Sequence, residues 1–491
     1  MLSGSMWRSR DTDRSKPSTV VRVATVALLS SSAAATAVLT RYSDAPLSGT
    51  FWLLVLSLGG LGAVLATPSL RRAVSFRLVV ALSTVLLTVA VTFHPPHNAD
   101  LWVYAMYGRT IVDHGESPYV HPPSEYTDDP WLEDLFLFRE SRTFYGPLFT
   151  GMNAAVAAVG QDSRLAVRLA YQVGAGLAVA ASLLLLARAG APPSSLALLA
   201  LNPVIIIDVV SQGRMDAYIG LGLLTAALLA ARRKPHFAAL AIAAVTLVKA
   251  PAALALAALV PWVWRHHDLR KAIAVTATGT GVIALAYLAA GGMEAVQPLL
   301  DVRHQSNDVN VWILARENGI SQALGDFRAT LGPVGSTASY ASIAGLILGA
   351  LLLAPRLCDR VPNLVFALPV LAYLLTSLYP TARYAAWILP LLALTLRAGA
   401  TMVTVAVSSA IFLMVQYRAA LLHNGGSAME LLPDDRLFRV VHAAPILLAL
   451  AGIAVLVVEA RRRLQGDELT TARIGGEREH PGPITQQSPR R

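Results

Sequence analysis

The sequence predicts an all-α fold, a polytopic membrane bundle of about fourteen transmembrane helices carrying large extracytoplasmic loops. Three observations carry that expectation. The 491-residue chain is 55% hydrophobic and only 14% charged, against roughly 25% charged residues in a soluble domain. Apolar runs recur from residue 20 to residue 458. Between them lie short basic clusters that fall on alternate connectors, the pattern that orients membrane helices. The formal net charge of +10 therefore reports orientation and gives no basic face for nucleic acid. The single cysteine, Cys358, excludes an intramolecular disulfide and a cysteine-based metal site.

Taken in order, residues 1–19 are polar, with Arg8, Arg10, Arg14 and Lys16, and read as a cytoplasmic N-terminal segment. The transmembrane domain covers 20–463. Its first run, 20–39, ends in SSSAAATA like a signal-peptide cleavage region, but apolar character continues beyond it, so it reads as an uncleaved helix. Runs 51–66 and 78–93 follow, parted by Arg71, Arg72 and Arg77. With that basic turn inside, the loop beginning at His94 is outside. The stretch 148–159 is too short to span and reads as an interfacial helix. Further spanning candidates are 165–186, 196–207, 217–231, 237–248, 251–264, 272–290, 341–354, 364–378, 384–396, 401–415 and 441–458. Several fall short of the ~20 apolar residues of a span and must borrow flanking residues. An even count puts both termini in the cytoplasm, and the Gly-, Pro-, Thr- and Gln-rich tail, 464–491, reads as disordered.

Outer-side connectors hold the residues that could do chemistry. The main loops run over about 94–164 and 291–337, with short turns at 208–216 and 379–384 and a further loop at 417–439. The first loop is polar, aromatic and acidic, and ordering so long a segment costs entropy that a simple connector need not spend. Within ADLWVYAMYGR, helical spacing puts Asp100, Tyr104 and Tyr107 on one face. A carboxylate at the membrane boundary beside aromatic rings suits a general base, and equally suits a helix N-cap. Lys249 has apolar residues on both sides, and a membrane-embedded cation by default marks a site whose partner is an anion; snorkelling to the interface is its bland alternative. Arg214 and Asp216 share the turn SQGRMDA, with Asp208 eight residues before Asp216; the turn could hold a phosphate or only pair its own charges. Arg383 suits phosphate, while Tyr384 and Trp387 suit a membrane-interface belt. His304 and Trp312 stand in a later loop rich in the amide and aromatic groups that sugars favour. No phosphate-binding Gly-rich loop, HExxH or Ser-nucleophile elbow is present, so ATP-driven transport has no support.

The order of these pieces resembles the GT-C superfamily of integral-membrane glycosyltransferases, and within it the actinobacterial polyprenyl-phosphate-mannose-dependent mannosyltransferases. The matching stretches are ADLWVYAMYGR, GESPYV, FYGPLF, LNPVIIIDVVSQGRMDA, the helix ending LVKAP, and LYPTARYAAWILPLLAL, spread over about 93–396. The resemblance implies a catalytic aspartate, at Asp100, that deprotonates the acceptor hydroxyl as it attacks the anomeric carbon in one inverting displacement. It implies Lys249, Arg214 and Arg383 on the donor phosphate, and Tyr104, Tyr145, Asp216, His304, Trp312 and Tyr384 around the substrates. The implied partners are a polyprenyl-phosphate sugar donor, a glycolipid or cell-envelope glycan acceptor and membrane lipids, at the plasma membrane with the active site extracytoplasmic. The family often has His or Asn near Arg214, and some relatives use a divalent cation where others do not; Asp100 with Asp216 is the pair that would hold one. The competing reading is a lipid-glycan flippase without catalysis, although internal repeats and midplane charges, common in transporters, are missing here.

Overall fold

The computed structural model describes residues 17–41, 47–93, 99–135, 138–301, 362–377, 381–395 and 401–409, with a few helical positions between 344 and 352. Every regular element among the described residues is helical. Among the described residues, three helices are long and apolar enough to cross a membrane: α1 (Thr19–Arg41), α7 (Arg164–Arg188) and α12 (Leu269–Ala289). Shorter apolar helices surround them, namely α2 (Leu47–Ala66), α4 (Phe76–Thr92), α6 (Pro147–Gly160), α9 (Asp216–Ala231), α10 (Pro235–Thr246), α14 (Pro362–Thr376) and α15 (Ala385–Thr395). Among the described residues, Val20, Leu177, Phe237, Leu285 and Leu288 are largely exposed, as lipid-facing side chains of an integral membrane protein are. The expected run 441–458, the loop 417–439, the tail and Cys358 lie outside the described residues.

Local sequence explains most helix ends. Ser75, Ser163 and Asp268 accept hydrogen bonds from the amides of Leu78, Ala166 and Lys271, at 3.2, 3.2 and 2.7 Å, capping α4, α7 and α12. Pro147, Pro193 and Pro235 open α6, α8 (Pro193–Ala200) and α10, where the missing N–H costs nothing. One expected span behaves differently. Residues 196–207 do not form one straight helix: α8 stops at Ala200, Asn202 turns its side chain onto the Val204 amide at 2.9 Å, and Pro203 offers no donor. The chain resumes after a 44° bend as a π-helix, Val204–Val210, with bonds from Ser211 to Ile206 and Arg214 to Val209 five residues back. This wider turn carries Asp208 and delivers Arg214.

Packing gathers these elements into one apolar core that contains Trp131, Trp387, Phe149, Phe366 and most of α9 and α15. Helix α9 lies between α10 and α15, and α5 (Ala99–Val112) lies on α6. Glycine permits the closest approaches. A side chain at Gly220 would run into the Ala386 carbonyl of α15, and one at Gly108 into the Asn153 carbonyl of α6.

The first long loop folds over α5 through a clamp at its own centre. Asp129 is buried and accepts from the Trp131 amide (2.9 Å), Arg109 Nε (3.0 Å) and His114 Nε2 (3.1 Å). Arg109 and Arg164 both stack over the Trp131 ring, at 5.0 and 5.5 Å. Arg142 reaches Asp301 at 2.6 Å, joining this loop to α13 (Met293–Asp301).

Removing the shared acceptor leaves Arg109 short of a buried counter-charge. Asp129→Ala is expected to cost about 3 kcal/mol, read as a lower thermal midpoint in detergent micelles. Burial opposes the charge on Asp129, yet the Trp131 amide, Arg109 and His114 hold its carboxyl below the usual aspartate value. The contribution is therefore complete at neutral pH and is lost as pH falls through that lowered value. Wild type should lose midpoint on acidification by more than Asp129→Ala does.

Candidate active site

Asp100 stands in the first turn of α5. Its Oδ2 is paired with two guanidiniums from distant parts of the chain: Arg383 NH1 at 2.8 Å, and Arg214 NH1. Arg214 comes from the turn after the π-helix, and Arg383 from the short 3-10 turn Ala382–Tyr384 that precedes α15. Each arginine is also held from its other side. Arg214 Nε lies 3.4 Å from Asp208 Oδ1, and Arg383 Nε lies 4.0 Å from Asp216 Oδ2. The Arg383 backbone amide adds a hydrogen bond to Asp208.

Asp216 begins α9, has no solvent exposure, and accepts a 2.7 Å hydrogen bond from Trp387 Nε1. Lys249 sits in the break between α10 and α11 (Leu254–His266), donates to the Tyr384 hydroxyl at 3.1 Å and lies 4.5 Å above that ring and 5.7 Å from the Trp387 ring. Three carboxylates thus face three cations in one cluster, a charge balance that makes ions tolerable in a low-dielectric body.

An aromatic wall closes one side. Tyr104 is buried and meets Tyr145, Phe149 and Tyr171 edge-on, at 5.3, 4.9 and 5.8 Å. The Gly-Pro that follows Tyr145 pins this wall to the lysine. The Gly146 amide donates to the Val248 carbonyl at 3.1 Å and the Leu148 amide to the Leu247 carbonyl at 3.0 Å, immediately before Lys249. A Cβ at Gly146 would strike the Leu247 backbone, so the contact requires glycine.

Of the residues singled out in the sequence, Asp100, Arg214, Asp216, Lys249, Arg383 and Tyr384 come together, with Tyr104 and Tyr145 beside them. His304 and Trp312 lie outside the described residues. Long-range pairing joins the clustered residues: Asp100 meets arginines from two distant segments, Arg214 reaches both Asp208 and Asp100, and Lys249 meets Tyr384. Tyr107, on the same helical face as Asp100, donates to the Ser141 carbonyl at 2.8 Å and so supports the loop. Asp100 and Asp216 are joined through Arg383, a cation already between them, and this donor set does not fit a shared divalent ion. In the first loop, Glu116, His121 and Glu125 bring potential ligand atoms within 4.8 Å of one another. They are not deeply buried, and the 2.7 Å contact of Glu125 raises the pKa of His121.

Sequence reasoning missed two parts. Trp387 passed for an interface residue, although its indole N–H is the hydrogen-bond donor to Asp216. Asp208 was noted by position alone, and only the π-helical register shows that it reaches Arg214.

Residues 18–266 match the family described as alpha-(1->6)-mannopyranosyltransferase, N-terminal domain. The chain belongs to this mannosyltransferase family. The matched part contains Asp100, Asp208, Arg214, Asp216 and Lys249, while Arg383 and Tyr384 follow it. A similar protein is alpha-(1->6)-mannopyranosyltransferase A of Corynebacterium glutamicum, 32% identical over 179 residues, which are 35% of this chain and 36% of that protein. The match therefore spans about a third of the relative's length. No solved structure matches the chain.

The Asp216–Trp387 bond should behave as a single unit. Asp216→Ala and Trp387→Phe are each expected to cost about 2–3 kcal/mol, because either leaves a buried polar group unpaired. The double variant should cost less than their sum by at least ~1 kcal/mol. A double-mutant cycle of thermal midpoints in micelles checks this, and simple additivity would contradict the coupling.

Proposed function

We propose that the protein is a GT-C-type mannosyltransferase that moves mannose from a polyprenyl-phosphate donor to a glycolipid or cell-envelope glycan, in a single inverting displacement. The observation that carries this reading is the meeting of Asp100 with Arg214 and Arg383 beside the first long loop, with Lys249 held on Tyr384 of the Arg383 turn, in a member of a mannosyltransferase family. A lipid-phosphate leaving group needs cations that can accept its growing charge, and two arginines with a lysine supply them. An acceptor hydroxyl needs a base; Asp100 and Asp208 both keep slight exposure, and of the two Asp100 stands on α5 beside the first long loop and is the one both arginines reach. Asp216 is fully enclosed, which suits it to hold Arg383 and Trp387 and removes it from contact with sugar. Tyr104 and Tyr145 supply the pocket wall, and Tyr384 couples Lys249 to the arginine-bearing turn.

In this reading the bundle has about fourteen spans with both termini in the cytoplasm. The cluster then faces the extracytoplasmic side of the plasma membrane, where a membrane-dissolved donor and an outer acceptor meet.

Purified protein in lipid nanodiscs, given labelled polyprenyl-phosphate mannose and an envelope lipid extract, should form labelled product. Asp100→Asn should lower turnover by about 10³-fold, and Lys249→Ala by about 10²-fold with a raised donor KM. Full activity of Asp100→Asn would remove Asp100 as the base. No product with mannose, glucose or arabinose donors would favour a flippase.

A further inference from the structure

The two arginines are built alike. Each presents Nε to one carboxylate, Asp208 for Arg214 and Asp216 for Arg383, and each sends NH1 to the same oxygen of Asp100. The anchors are positioning residues: Asp216 is sealed and hydrogen-bonded to Trp387, and Asp208 is fixed by the π-helix and the Arg383 amide. The NH1 ends are therefore the working ends, and Asp100 occupies them.

We propose that Asp100 and the donor phosphate compete for these same two NH1 ends, so that the base is released only once the donor is seated. This rests on the reading of the site as one for a polyprenyl-phosphate sugar. Among the described residues, Asp100 holds the NH1 ends of both Arg214 and Arg383, so a phosphate reaches those ends only by displacing it. A phosphodiester enters by taking the guanidinium ends from Asp100 while Asp208 and Asp216 keep both side chains in place. The freed carboxylate is then a stronger proton acceptor than it was between two cations.

The charge balance carries through the reaction. The acceptor oxygen forms a bond to the anomeric carbon and its proton passes to Asp100. The bond from that carbon to the phosphate oxygen breaks, and its electron pair stays on the phosphate, which gains one negative charge as Asp100 loses one. The arginines thus have least attraction to Asp100 when the phosphate needs them most. Transfer of that proton from Asp100 to water restores the carboxylate, which takes back the guanidinium ends once polyprenyl phosphate has left. Substrates consequently bind in order, with the donor first.

The test uses farnesyl phosphate as a dispersible probe, titrated calorimetrically into the full chain in micelles. Asp100→Asn should bind it at least tenfold more tightly than wild type, while losing transfer. Asp208→Asn removes the same charge from a carboxylate that does not hold the NH1 ends, and should tighten binding less than Asp100→Asn does. Equal or weaker binding by Asp100→Asn, with wild type still binding and transferring, overturns the competition and leaves the glycosyltransferase reading standing. Absence of both binding and transfer in wild type overturns both. A second readout needs no variant: initial rates over both substrates should give an ordered, donor-first pattern, and a random-order pattern overturns the proposal.

Discussion

Everything at this site depends on one constraint, that charge placed inside an apolar bundle must be answered by opposite charge nearby. Asp100 answers Arg214 and Arg383, and Asp208 and Asp216 answer them again from behind. Removal of one partner would leave an uncompensated ion, at a cost of about 3–5 kcal/mol. The cluster therefore ties α5, the turn after the π-helix, the start of α9 and the turn before α15 into one arrangement, although these segments are spread over nearly three hundred residues of chain. The charge network is thus a structural joint.

Irregular backbone is concentrated where that joint is made. The π-helix sets the register of Asp208 and Arg214, the break after α10 exposes Lys249, and the 3-10 turn before α15 presents Arg383 and Tyr384. Unwound backbone at such depth is tolerated when protein covers it. Here Gly146 and Leu148 cap carbonyls at the end of α10, and Gln172 donates to the carbonyls of Ala90, Phe93 and Ser211. Regular helices carry Asp100 and Asp216, and the interruptions bring Asp208, Arg214, Lys249, Arg383 and Tyr384 to them.

The helical bundle was legible because apolar runs and basic turns are local signals. The charged site residues were legible for a similar reason: Asp100, Lys249 and Arg383 stand out against apolar neighbours. What escaped were relations between segments. A π-helix leaves no periodic mark in VIIIDVV, although Asn202-Pro203 announces a break. The pairing of Trp387 with Asp216 links residues 171 apart, and the Asp129 clamp joins loop positions with no repeating spacing. Within FYGPLF nothing local marks the need of Gly146 for space against the Leu247 backbone. Composition and spacing reveal which residues are costly, and only the packed chain reveals which partners offset that cost.

The most direct test of this account is the position of the donor phosphate. A cryo-electron microscopy structure of the protein in nanodiscs, with a non-transferable polyprenyl-phosphate mannose analogue, should place phosphate density within hydrogen-bond reach of Arg214, Arg383 and Lys249. The Asp100 carboxylate should then be turned away from both guanidiniums and toward the anomeric carbon. Phosphate density elsewhere, with Asp100 still clasped by both arginines, would contradict the account.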